Sequence, residues 1–118
     1  MLRGSRALTV ALLVVGVTAP GPDRPGLAQT IAITQEYLRS TEKIGLGRQV
    51  WLARCQFCHG KVAYPGKAPR LEPSRYTPEF VFDRVTNGFR GMPPWRQEFS
   101  EDELKAVVAY VLSKEFPN

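Results

Sequence analysis

The chain has 118 residues, 43% of them apolar, with 16 Lys and Arg against 11 Asp and Glu and a formal net charge of +5. That is one small domain at most, with a composition that is neither disordered nor fibrous. Two cysteines and one histidine exclude a four-ligand Cys/His zinc site, a framework of two or more disulfides and a catalytic pair of histidines.

The N-terminus has the pattern of an export signal. Arg3 and Arg6 precede an uncharged apolar run, Ala7 to Thr18, which is short for a bilayer span. Gly26 and Ala28 then stand three and one residues before a cleavage point after Ala28; an uncleaved anchor is the alternative. Removing residues 1–28 takes away three arginines and one aspartate and leaves 90 residues with a charge of +3. A domain of that size buries a modest share of its surface and usually needs a staple or a cofactor.

Residues 29–40 form a lead-in, either an extended arm or a loose helical turn, and the domain proper is expected over 41–118. A first helix starts near Ser40 or Thr41, with Ile44, Gly47 and Trp51 on one face, and is expected to run to about Cys55. Gly60, Pro65, Gly66, Pro69 and Pro73 mark a loop. Thr77 as cap, Pro78 at the first helical position and Glu79 begin a second helix, and Asn87-Gly88 stops it. Phe89 to Phe99 is a loop holding Gly91, Pro93 and Pro94. Ser100 with Glu103 forms a capping box for a last helix, whose stripe is Leu104, Val107, Val108 and Val111. The pattern predicts an all-α domain of short helices and long, apolar loops that must pack on something.

That something is indicated by Cys55-Gln56-Phe57-Cys58-His59. C-x-x-C-H is the spacing for covalent attachment of a c-type haem. Two cysteines three apart near a helix end reach the two vinyl groups of one porphyrin edge, and His59 follows as an iron ligand. A thioredoxin-type redox pair would want a strand before it, and a short-loop disulfide would leave the small core unsupported. A six-coordinate iron needs a second ligand. His59 is the only histidine, and Met92 is the only methionine once Met1 leaves with the signal. Flanked by Gly91 and Pro93, Met92 is the expected sixth ligand, with lysine, tyrosine or water as the other candidates. Tyr76 and Trp95 are candidates to donate to a haem propionate. Val50, Leu52, Leu71, Phe80, Val81, Val85 and Phe89 are candidates for the haem wall.

Together these residues resemble the class I (small, monohaem) bacterial c-type cytochromes, over about Ile44 to Ser113. Gly47 and Trp51 are similar to the glycine and aromatic of the family's first helix. Cys55, Cys58 and His59 match its haem motif, and Asn87-Gly88 with Gly91-Met92-Pro93 resembles its distal loop. Lys67-Ala68-Pro69-Arg70-Leu71 resembles the segment in which a proline carbonyl accepts a bond from the axial histidine and a leucine packs on the haem; that assigns those roles to Pro69 and Leu71. The helix ending at Tyr110 and Val111 resembles the family's last, whose aromatic crosses the first helix at the glycine. The resemblance implies the cytochrome c fold, three to five short helices wrapped around one haem c held through Cys55 and Cys58.

It also implies a periplasmic electron carrier rather than an enzyme, with His59 and Met92 as axial ligands. Its partners would be redox proteins — a periplasmic dehydrogenase or the membrane respiratory chain on one side, an oxidase or reductase on the other — with no nucleic acid, no small-molecule substrate and at most transient membrane contact. A dedicated cytochrome subunit of an oxidoreductase complex shares this chemistry, and the long lead-in leaves that open. A haem peroxidase or gas sensor is the reading from another class; it needs an open distal position that Met92 would block. Arg54, Lys61, Lys67, Arg70, Arg90 and Arg96 flank the haem-bearing segments and form an expected basic docking rim.

Overall fold

The computed structural model describes residues 32–61 and 66–117. The expected signal peptide, residues 1–28, and the first residues of the lead-in lie outside the described residues. Five helical segments follow one another: α1 (Gln35–Arg39), α2 (Thr41–Val50), α3 (Gln56–His59), α4 (Pro78–Asn87) and α5 (Glu101–Val111). Among the described residues there is no strand, only a single antiparallel bridge between Phe89 and Met92. The all-α expectation is met.

Each helix begins where its cap chemistry places it. The Ser40 side chain accepts from Lys43 N–H, Thr77 from Phe80 N–H, and Ser100 from Glu103 N–H, with the Glu103 carboxylate returning to Ser100 N–H at 2.8 Å. Gly88, at φ +73°, ends α4 in a conformation that favours glycine. The first helix does not stop at Cys55. It widens into a π-turn over Trp51–Cys55, closed by Gln56 N–H on the Trp51 carbonyl, and continues as α3 to His59. Gly60, at φ +87°, ends it there.

The core is the crossing of α2 with α5. Ile44, Gly47 and Val50 are buried on α2, and Leu104 and Ala106 through Val111 on α5. The helices touch backbone to backbone at Gly47. A Cβ built there would lie 1.9 Å from the Ala106 carbonyl oxygen and 2.9 Å from Tyr110 Cβ, so only glycine fits without moving α5. Beyond this crossing Trp51 meets Phe116 edge-on at 4.9 Å and Tyr110 at 6.3 Å. Phe116, which the sequence pattern does not single out, is 2% exposed.

The lead-in is helical where it is described. Thr34 caps α1 by accepting from Tyr37 N–H at 3.1 Å. The Tyr37 hydroxyl donates to the Asp102 carboxylate at 2.8 Å, and Lys43 pairs with the same carboxylate at 2.8 Å. One acidic side chain of α5 therefore ties down both α1 and α2.

Candidate cofactor site

A cavity of about 640 Å³ opens between α3, α4, α5 and the two long loops. The eight residues given a role in haem attachment, ligation or direct haem contact from sequence line it: Cys55, Cys58, His59, Pro69, Leu71, Tyr76, Met92 and Trp95. They come from sequence positions 40 apart at the extremes, and only the fold brings them together. The wall between them is apolar, with Val81 and Val85 from α4 and Val107 and Val111 from α5.

Along the α3 edge, Cys55 is buried and Cys58 exposed, and neither is in a disulfide. Burial pushes the Cys55 thiol up to about 12, which keeps it protonated near neutral pH. Burial also lowers the His59 imidazole below its ordinary value. The ring is therefore neutral at pH 7, the form that binds metals. His59 Nδ1 is buried with no hydrogen-bond partner among the described residues. The bond to the Pro69 carbonyl that the family resemblance implies is not formed, although Pro69 lines the same cavity.

The loop carrying Pro69 is nevertheless fastened to α3. Ala68 N–H donates to the Cys58 carbonyl at 2.8 Å. Gly66 lies so close that a Cβ would stand 2.1 Å from the same oxygen. Gly66 looks like loop punctuation in the sequence, and its role in this contact emerges only from the fold. Tyr76 accepts from Glu72 N–H at 3.0 Å, which holds the ring while leaving its hydroxyl proton free to donate.

The loop carrying Met92 is a tight reversal. Phe89 and Met92 exchange backbone hydrogen bonds at 3.0 Å each, and Arg90 takes φ +53° within the turn. Gly88 lacks the Cβ that would come within 2.5 Å of the Met92 carbonyl oxygen. Trp95 opens the following 3₁₀ turn and packs at 6.1 Å on Phe99.

Two of the expected wall residues lie elsewhere. Val50 is buried in the core and Leu52 is 39% exposed; Val50 immediately precedes the π-turn and Leu52 lies within it, and neither lines the cavity. Trp51, Val107, Val111 and Arg84 line it instead. Arg84 is held 4.9 Å from the Phe80 ring centre and 4.2 Å from that of Phe89.

The six basic residues flanking the haem-bearing segments differ in their contacts. Arg54 pairs with Glu98, and Arg96 donates to the Asn87 side chain at 2.8 Å. Lys67, Arg70 and Arg90 line the cavity and have no ion pair among the described residues. Lys61 is exposed. Four acids at the α5 end are already engaged: Glu98 with Arg54, Asp102 with Lys43, Glu101 with Lys105, and Glu103 in the capping box.

These residues fit a haem. The cavity volume is within the roughly 300–1,000 Å³ of cofactor sites, its walls are apolar, and two free thiols border it. A neutral imidazole and a thioether complete the donor set. Comparison with known proteins agrees. Residues 42–111 match the family described as cytochrome c oxidase, cbb3-type, subunit III. The chain is 32% identical to cytochrome c6 of Euglena gracilis over 77 residues, covering 58% of this chain and 88% of that protein. It is 26% identical to the chloroplastic cytochrome c6 of Chlamydomonas reinhardtii over 110 residues, covering 80% of this chain and 74% of that protein. Among solved structures it is similar to the c-type cytochrome NirC, at 25% identity and a TM-score of 0.54, covering 67% of this chain and 99% of that one.

Proposed function

Since the chain belongs to this family of small c-type cytochromes, which carry covalent haem c, we propose that it is an exported one-electron carrier with His59 and Met92 as the axial ligands of its iron. The observation that carries this reading is the convergence of both cysteines, the only histidine and Met92 on one apolar cavity. A haem bound there supplies exchange of one electron between ferric and ferrous iron.

The chain's own residues do the rest. Cys55 and Cys58, both free thiols at the cavity, would hold the ring through thioethers. His59 presents a neutral imidazole from the end of α3, and Met92 presents its thioether from a loop closed by two backbone hydrogen bonds. Ligands fixed in this way move little when the charge changes, so each transfer meets a small reorganisation. Methionine sulfur raises the potential relative to histidine. The apolar wall excludes water and favours the less charged state. Tyr76 and Trp95 offer polar hydrogens at the cavity edge for propionates.

The lining residues hold one imidazole and no carboxylate, whereas a peroxidase uses an acid–base group beside its open site. The lead-in is the feature that would favour permanent membership of a larger complex, and its Tyr37 is engaged within its own chain, on Asp102 of α5. We assign residues 1–28 to a cleaved signal and the mature carrier to the periplasm; no described helix is long and apolar enough to cross a membrane. Its partners are acidic redox proteins that meet Lys67, Arg70 and Arg90 at the cavity rim.

Oxidation of the reduced, haem-loaded protein by hexacyanoferrate(III) tests this. One electron leaves per chain, and the second-order rate falls steeply as ionic strength rises, because screening acts over about 10 Å at 0.1 M salt. A rate indifferent to salt contradicts the basic rim, and a stoichiometry other than one contradicts the carrier.

A further inference from the structure

Trp51 stands eight residues before His59. In an uninterrupted α-helix that spacing leaves two side chains about 80° apart around the axis. The π-turn Trp51–Cys55 removes the offset. Its i→i+5 bond, from Gln56 N–H to the Trp51 carbonyl, takes up one extra residue. The pair then behaves as if seven apart and falls within about 20° of one face.

The two rings do meet. Their centroids are 5.5 Å apart and their planes tilt by 33°. Trp51 cannot easily yield, since it is 2% exposed and backed edge-on by Phe116. A metal-binding imidazole ordinarily takes its orientation from a hydrogen bond made by its other nitrogen. Here His59 Nδ1 is buried without a partner among the described residues, and so is Trp51 Nε1. Among the described residues, the contact that bears on the plane of the His59 ring is its packing against Trp51.

We propose that Trp51 is a positioning residue for the axial imidazole, its indole fixing the rotation of the His59 ring about the bond to iron. The inference rests on the reading of His59 as an axial ligand. It gives the π-turn a purpose, because in an uninterrupted α-helix the same eight-residue spacing would leave Trp51 and His59 on different faces.

The test uses proton NMR of the full, haem-loaded chain. In the reduced protein, cross-peaks connect the Trp51 indole and His59 ring protons, and the His59 protons are displaced by the haem ring current. Displaced His59 protons with no Trp51 cross-peak overturn the proposal alone. His59 protons at ordinary positions overturn the ligand reading, and the proposal with it. In the oxidised protein the order of the four haem-methyl shifts reports the imidazole plane. Trp51→Leu changes that order, and Trp51→Phe, which keeps a flat ring, restores it. A Trp51→Leu protein with wild-type helix content and covalent haem but an unchanged methyl order overturns the proposal. If that variant does not fold, the wild-type cross-peak and the Trp51→Phe spectrum decide.

Discussion

Gly66 lets the loop after α3 lie directly against the backbone of Cys58 and His59, where a Cβ would not fit. The loop that carries Pro69 and Leu71 reaches the cavity because Gly66 lies against the carbonyl of Cys58, and because Ala68 N–H bonds to that oxygen. Gly66→Ala would place a methyl 2.1 Å from the Cys58 oxygen and 2.7 Å from the His59 carbonyl carbon, so the loop must lift. We expect a loss of about 2 kcal/mol or more in stability, read by urea unfolding, together with a lower haem-to-protein ratio; a variant with the wild-type midpoint would contradict the contact. Residues whose chemistry is local are legible from sequence: Cys55, Cys58 and His59 announce themselves by spacing, and Met92 by elimination. Gly66, Arg84 and Phe116 do not, because their importance lies in neighbours distant in the chain, and a glycine between prolines looks like any other loop glycine.

At the scale of elements, the α2–α5 crossing and the Asp102 tie hold the helices in place. Gly47→Ala drives a methyl into the Ala106 backbone, which no side-chain rotation relieves. It should cost about 3 kcal/mol and lower Tm by at least roughly 10 °C, measured by thermal unfolding followed by circular dichroism. Asp102 acts differently. The Lys43 ammonium and the Tyr37 hydroxyl beside it hold its carboxyl below the usual carboxylate range. A depressed carboxyl adds stability above its unfolded pKa of about 3.9, and that stability is lost as pH falls through the lower, folded value. Asp102→Asn should therefore lower Tm by roughly 2–4 °C at pH 7, with the gap to wild type closing below about pH 4; a gap independent of pH would contradict the tie. Helix ends at Thr77, Gly88 and Ser100 were legible because capping depends on a few adjacent residues. The π-turn was not, since a 3.6-residue period carries no sign of one inserted residue. Nor was α1 decided by sequence, because five residues are too few to be helical alone and Tyr37 needs Asp102, 65 positions away.

Over the whole molecule, two long connections, one between α3 and α4 and one between α4 and α5, close over one cavity, and the helices supply its floor. That explains why the loops are so rich in proline and aromatic residues: their apolar side chains face a cofactor rather than another helix. It also explains how a small domain holds together, since the group it binds completes its core. The charges divide accordingly, with acids engaged at the start of α5 and Lys67, Arg70 and Arg90 on the cavity rim. The account stands on Met92 closing the sixth position of the iron, which separates a carrier from a gas-binding or peroxide-using site. Reduced, haem-loaded protein should therefore be mixed with carbon monoxide and its absorption spectrum followed, with Met92→Ala alongside. The wild-type spectrum should stay unchanged while the variant converts at once to the carbon monoxide form; prompt conversion of the wild type, at the rate of the variant, would contradict it.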